Sequence, residues 1–166
     1  MYTIISGTNR IDSHTEKVAK QYQKFLKEKK IDGKLLSLKD LNVLERNTEY
    51  AQVENEYLIP AEKFIFIMPE YNGSFPGVLK AMIDISDIKK CWWNKKALLT
   101  GVSSGRAGNL RGMDHITGVL NYVKMTVHPN KLPISVIDTV MNGEGEITNQ
   151  GTLQAIDQQL DEFINF

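Results

Sequence analysis

The sequence predicts a doubly wound α/β/α sandwich built on a five-stranded parallel sheet, and three observations carry that prediction. Short, continuously apolar runs alternate with longer segments of helical periodicity along the whole chain. Phe64-Ile65-Phe66-Ile67-Met68 is apolar at every position, as a strand must be when helices cover both of its faces. Punctuation by Gly, Pro, Ser and Asn falls between these runs, where strand-to-helix turns belong. With 166 residues, one core accounts for the chain, so a single domain over residues 1–166 is expected.

Tyr2 to Ser6 is a β-rich run closed by Gly7, and Val18, Tyr22, Phe25 and Leu26 then recur on one helix face. Gly33 to Leu38 reads as the second strand. From Lys39 to about Tyr57 the chain is polar and weakly patterned, and a loop with some helix is expected. Phe64 to Met68 is the central third strand and stops at Pro69. Pro76 then opens a helix carrying Val78, Leu79, Met82 and Ile83. Ala97 to Val102 is the fourth strand, followed by a Ser/Gly-rich turn and a helix with Met113, Ile116, Leu120 and Val123. Met125 to Val127 together with Ile134 to Ile137 supply a fifth strand, interrupted by Pro129 and Pro133. Leu153, Ile156, Leu160, Phe163 and Ile164 mark the last helix.

Composition narrows the function classes. Twenty basic and twenty acidic side chains leave no net charge, so no bulk field recruits nucleic acid or an anionic membrane, and any anion must be held locally. A lone Cys91 and three scattered histidines, His14, His115 and His128, offer neither a disulfide framework nor zinc-ligand spacing. With no signal-like N-terminus and no apolar run of membrane-spanning length, a cytoplasmic location and no membrane partner are expected.

Strand order is not written in periodicity. Taken as 2-1-3-4-5, it places the ligand crevice among the loops after strands 1, 3 and 4. The first of these, Gly7-Thr8-Asn9-Arg10-Ile11-Asp12-Ser13-His14-Thr15, suits an anion. It feeds a helix N-terminus, Thr8, Ser13 and Thr15 add hydroxyl donors, and Arg10 supplies the cation that a phosphomonoester of charge about −2 requires. Ser13 and Glu16 also fit a helix capping box, a role that leaves Thr8 and Arg10 unexplained. The loop lacks the Gly-x4-Gly-Lys-Ser/Thr and Gly-x-Gly-x-x-Gly patterns of nucleotide folds. Cys91 is too far along the chain for a cysteine phosphatase, and Met68-Pro69 stands where a phospho-acceptor aspartate would end strand 3. The second loop, Pro69-Glu70-Tyr71-Asn72-Gly73-Ser74-Phe75-Pro76, offers an aromatic face and accessible backbone donors to a flat polar ring. The third, Ser103 to Asn109, is Ser- and Gly-rich and suits the ring's edge. Trp92-Trp93 reads as packing.

These motifs, Gly7-Thr8-x-Arg10-x-x-Ser13-x-Thr15, Pro69-Glu70-Tyr71-Asn72-Gly73-Ser74-x-Pro76-Gly77-Val78-Leu79-Lys80-x-x-x-Asp84 and Ser104-Gly105-Arg106-x-Gly108, resemble those of the NADPH-dependent FMN reductase family. That group is flavodoxin-like and includes small azobenzene and quinone reductases. The resemblance implies FMN held by its phosphate at Thr8, Arg10, Ser13 and Thr15. Its ring would lie against Pro69, Glu70, Tyr71, Asn72 and Gly73 and be bordered by Ser103, Ser104 and Gly105. It further implies NADPH as electron donor, a small-molecule acceptor such as a quinone, azo compound or free flavin, hydride transfer in a ping-pong cycle, and a homodimer or homotetramer. Arg106 has two readings, a contact to the NADPH 2′-phosphate or a solvated loop side chain. The chain departs from the family where Thr15 replaces a frequent Asn, where Asn109 replaces a second glycine, and where Ile85 follows Ile83-Asp84 in place of a frequent Trp. A flavodoxin-type electron carrier and a phospholigand-binding module without turnover are the competing expectations.

Overall fold

The computed structural model describes all residues from Met1 to Phe166. Strands β1 (Tyr2–Ser6), β2 (Gly33–Ser37), β3 (Lys63–Pro69) and β4 (Lys96–Val102) pair in parallel, and β5 (Thr126–Val127) continues the sheet in the order β2-β1-β3-β4-β5. The register is continuous: Ser6 lies opposite Ser37 and Ile67, and Ile67 lies opposite Thr100. All three site loops therefore leave the sheet at one carboxyl-end rim.

The fully apolar run of β3 divides by alternation, as a strand's two-residue period demands. Phe64, Phe66 and Met68 enter a core of 22 buried residues with α3 (Gly77–Ile85), α4 (Ile88–Cys91) and α5 (Leu110–Tyr122). Ile65 and Ile67 enter a second core of 15 buried residues with α1 (His14–Glu28) and α6 (Gln150–Asn165). Truncating a ring such as Phe66 to Ala costs about 3–5 kcal/mol in a core of this kind. Trp92 packs as the sequence suggests: it is fully buried, 5.1 Å from the Phe64 ring and 6.4 Å from that of Phe66. On the opposite face the Tyr22 hydroxyl sits 2.7 Å from Thr100 Oγ1 and donates to Gln159 Oε1 at 2.6 Å, tying α1, β4 and α6 together.

The stretch expected as a loop with some helix is one, with a feature the sequence does not show, and the fifth strand differs from its expectation. Between Lys39 and Tyr57 the structure holds α2 (Thr48–Val53), capped by Asn47 and running directly into a π-helical turn at Glu54–Leu58. The longer π repeat breaks the 3.6-residue spacing. The polar Glu54 also lies on the inner face, only 3% exposed, so no apolar stripe marks the helix. The fifth strand is two pieces. β5 pairs with the start of β4, Lys96 opposite Thr126, whereas β6 (Leu132–Ile134) pairs with its end, Val102 opposite Ile134. Ile137, expected in the strand, instead begins a 3₁₀ turn.

Candidate functional site

A cavity of about 400 Å³ opens where the three loops meet, lined by Arg10, Ser13, His14, Thr15, Pro69, Glu70, Tyr71, Asn72, Ser103 and Ser104, with Ile11, Val102 and Ile137 as its apolar wall. A second compartment of about 470 Å³ shares Glu70, Asn72, Ser103 and Ser104 with it and adds Gly73, Gly105, Arg106 and Ala107. The first compartment has an anion end. Ser13 caps α1, its hydroxyl accepting from the Glu16 amide at 3.1 Å, which leaves the first-turn amides of His14 and Thr15 without helical acceptors. Glu16 does not reach back to complete the capping box; its carboxylate pairs with Lys20 at 3.0 Å. Thr15, 2% exposed, spends its hydroxyl on no partner within the chain and lines the cavity.

Thr8 stands beside the cavity, just past the end of β1. It lines neither compartment; its hydroxyl lies 2.7 Å from the Tyr71 hydroxyl and accepts from the Arg10 amide at 3.2 Å. These contacts tie Thr8 to both the first and the second loop. His14 reaches Asp138 at 3.2 Å through Nε2, and its Nδ1 lies 3.4 Å from the Met141 sulfur. His115 likewise finds a partner in Ser74 Oγ at 2.9 Å.

The second loop is a two-residue hairpin. Tyr71 and Ser74 exchange both backbone hydrogen bonds, at 2.9 and 3.1 Å, and Asn72 and Gly73 take φ values of +52° and +77° between them. Asn-Gly is the pair that such a turn demands. The Asn72 and Gly73 amides are left free of the hairpin's own bonding, at the tip facing the second compartment. In the third loop Ser103 is structural as well as exposed to the cavity: its hydroxyl donates to the Gly105 carbonyl at 2.8 Å and accepts from the Gly108 amide at 3.0 Å.

Ile137 is the lining residue that the sequence did not announce. It arrives from 33 positions beyond Ser104 because β6 pairs with β4 and because Val136 holds a left-handed conformation at φ +46°. A β-branched residue is rarely found there. The Val136 amide donates to the Gly105 carbonyl, and that of Ile137 to the Ser103 carbonyl, both at 3.0 Å.

The family model described as NADPH-dependent FMN reductase matches residues 2–137, spanning all three loops. The chain belongs to this family. An NAD(P)H-dependent FMN reductase of Pseudomonas aeruginosa is 33% identical over 110 residues, which cover 63% of this chain and 58% of that protein. A 2-hydroxy-1,4-benzoquinone reductase of a Burkholderia species is 24% identical over 119 residues, covering 69% and 65%. The matched part thus spans about three fifths of these relatives' length. Among solved structures, the flavoenzyme NAD(P)H:(acceptor) oxidoreductase FerB of Paracoccus denitrificans superposes with a TM-score of 0.79 over 99% of this chain and 94% of that one, at 23% identity. A flavodoxin from the domain Archaea gives 0.63 at 12% identity, covering 100% of both chains. These likenesses establish the flavodoxin-like fold that the sequence predicted.

The donor set fits the family's cofactor. One guanidinium, the Ser13 and Thr15 hydroxyls and two first-turn amides meet the needs of a terminal phosphate. The adjoining compartment, with hairpin amides and little side-chain bulk, suits a flat polar ring. No helix is long and apolar enough to cross a membrane, and no cluster of His, Cys, Asp and Glu forms a metal site.

Proposed function

We propose that this chain is an FMN-dependent NAD(P)H oxidoreductase that reduces a small acceptor, a quinone, an azo compound or free flavin. The observation that carries the proposal is the continuity of an anion-holding compartment with a ring-sized one, each built from the loops at a single sheet rim. FMN, when bound, supplies the redox chemistry by accepting a hydride and passing it on.

The chain's own residues do the rest. Arg10, Ser13, Thr15 and the α1 amides fix the phosphate end. The Asn72 and Gly73 amides orient the ring and favour negative charge upon it. Ile11, Val102 and Ile137 form an apolar wall beside it. The acid, base or nucleophile of a hydrolytic site is not required, and the buried Cys91 thiol, far from the rim in the core around Trp92, is not recruited. Donor and acceptor then use one opening in turn, which is a ping-pong cycle.

The test is anaerobic titration of the FMN-loaded protein with NADPH and NADH. A reductase loses its visible flavin absorbance on addition of the nucleotide and regains it with a quinone. A carrier takes up FMN but bleaches only with a separate reductase, and a protein that refuses FMN overturns the proposal.

A further inference from the structure

Asn109 joins the two loops that would bracket the ring, and it does so from the left-handed conformation, which asparagine tolerates better than most residues with a Cβ. It is fully buried at the start of α5 with φ +62° and ψ +30°. Its side-chain amide donates to the Met68 carbonyl at 3.2 Å and to the Pro69 carbonyl at 2.9 Å, the last two of β3, and its backbone amide donates to Glu70 Oε2 at 3.2 Å. Those two donations fix which end of the side chain is nitrogen. The remaining oxygen, Oδ1, is buried with no partner.

Three glycines make room for this arrangement. A Cβ on Gly101 would stand 2.0 Å from the Gly108 carbonyl oxygen and 2.9 Å from Asn109 Cβ, and one on Gly112 would stand 2.0 Å from Asn109 Oδ1. Gly108 is itself left-handed at φ +56°, and a Cβ there would meet Pro133 at 2.5 Å. A buried asparagine whose side-chain oxygen has no partner is an expensive way to start a helix. The three hydrogen bonds it donates all end on one target, the backbone and carboxylate at the root of the Tyr71–Ser74 hairpin.

We propose that Asn109 is a positioning residue for the flavin. By holding the Met68 and Pro69 carbonyls and one oxygen of Glu70, it sets the gap between the second and third loops and aims the Asn72 and Gly73 amides. The inference rests on the FMN reading above and adds a role for a residue that lines neither compartment. Glu70 lines both compartments, and its Oε1 makes no hydrogen bond within the chain, so a shift of the hairpin root also moves a carboxylate beside the ring.

The experiment compares Asn109→Gly and Gly112→Ala with the parent. The first keeps the left-handed backbone and removes the side-chain amide. The second keeps Asn109 but drives a methyl into its Oδ1 while favouring the helix. FMN affinity is measured by quenching of flavin fluorescence, and the two-electron potential by equilibration with reference dyes. The expected result in both variants is roughly tenfold weaker FMN binding, the scale of lost neutral hydrogen bonds. The potential falls as well, by about 30 mV for each tenfold by which binding of reduced flavin suffers more than that of oxidised flavin. Parental affinity and potential in a folded variant, whatever its melting temperature, reduce Asn109 to a structural tie and overturn the inference. If one variant does not fold, the other decides. A parent that takes up no FMN brings down the functional proposal itself, a separate and recognisable failure.

Discussion

The Arg10 guanidinium lies over the face of the Tyr71 ring, its carbon 4.1 Å from the ring centroid, while the Tyr71 hydroxyl meets Thr8 Oγ1 at 2.7 Å. The anion loop and the ring loop are therefore clasped to each other before any ligand arrives. An exposed cation–π contact is worth about 0.5–1 kcal/mol, and a charge-assisted bond to phosphate about 1.5–3 kcal/mol, so the clasp does not hold Arg10 against a phosphate.

Arg10→Ala is accordingly expected to weaken FMN binding by about 10- to 100-fold while moving the melting temperature little. Arg10→Lys restores only part of the affinity, because an ammonium cannot make the paired contacts of a guanidinium. Fluorescence titration at two salt concentrations checks both. An alanine variant with parental affinity would remove the phosphate from this loop.

Gly73 carries a second prediction. At φ +77° an L-residue is strained, and a Cβ there would also approach Arg111 Nη1 to 2.9 Å. The arginine end is flexible and can move aside, so the backbone sets the cost. Gly73→Ala is expected to lose about 1 kcal/mol, or about 2–4 °C of melting temperature, whereas Asn72→Gly keeps the turn. Thermal unfolding of the two apo variants is the measurement, and equal melting temperatures would contradict the hairpin geometry.

How far the sequence could be read depended on whether a residue's role was local. Phe64 to Met68 declares a doubly covered strand because burial on both faces leaves no position for a polar side chain. Asn72-Gly73 declares a turn because few residues tolerate its dihedrals. The π turn at Glu54–Leu58 was hidden, since its buried carboxylate is satisfied by Arg46 Nη2 at 2.8 Å and by the Asp87 amide at 2.6 Å, partners that no spacing rule connects. The neighbours of Thr8 in sequence point it at an anion, and no spacing rule announces its contact with the Tyr71 hydroxyl, 63 positions away. Ile137 reaches the site through pairing of β6 with β4, and Asn109 is tied to the end of β3 by its side-chain bonds, both long-range events.

Cys91 is buried in the core beside Glu54, its sulfur 3.7 Å from Oε1. Burial first, and then the Glu54 charge, push its thiol up from 9.0 to about 12. Native protein at about pH 8 is expected to resist thiol reagents until it is unfolded. The sign of the pH effect follows. The thiol stays protonated in the fold while the unfolded chain ionises near its ordinary value, so its contribution is complete below about pH 9 and is lost as pH rises toward about 12. Urea midpoints across that window should decline more steeply for the parent than for Cys91→Ala. Parallel declines would show that another group, such as the buried Tyr50 phenol, also raised to about 12, governs alkaline unfolding.

Arg106 supplies the last prediction. Its backbone carbonyl accepts from Ser135 Oγ at 2.9 Å, which anchors the loop, while its exposed side chain makes no ion pair at the wall of the second compartment. A phosphate differing between the two nicotinamide donors carries nearly two charges and is the group such a guanidinium can distinguish. Because the side chain is solvated, the contact should be weak. Arg106→Gln is expected to raise the dissociation constant for NADPH about two- to fivefold, to leave that for NADH and for FMN unchanged, and to lose the difference at high salt. Rapid-mixing measurement of flavin reduction against nucleotide concentration gives both constants. An unaltered NADPH to NADH ratio would make Arg106 a solvated loop residue and shift discrimination to Arg111, whose guanidinium lies against Gly73 on the same rim.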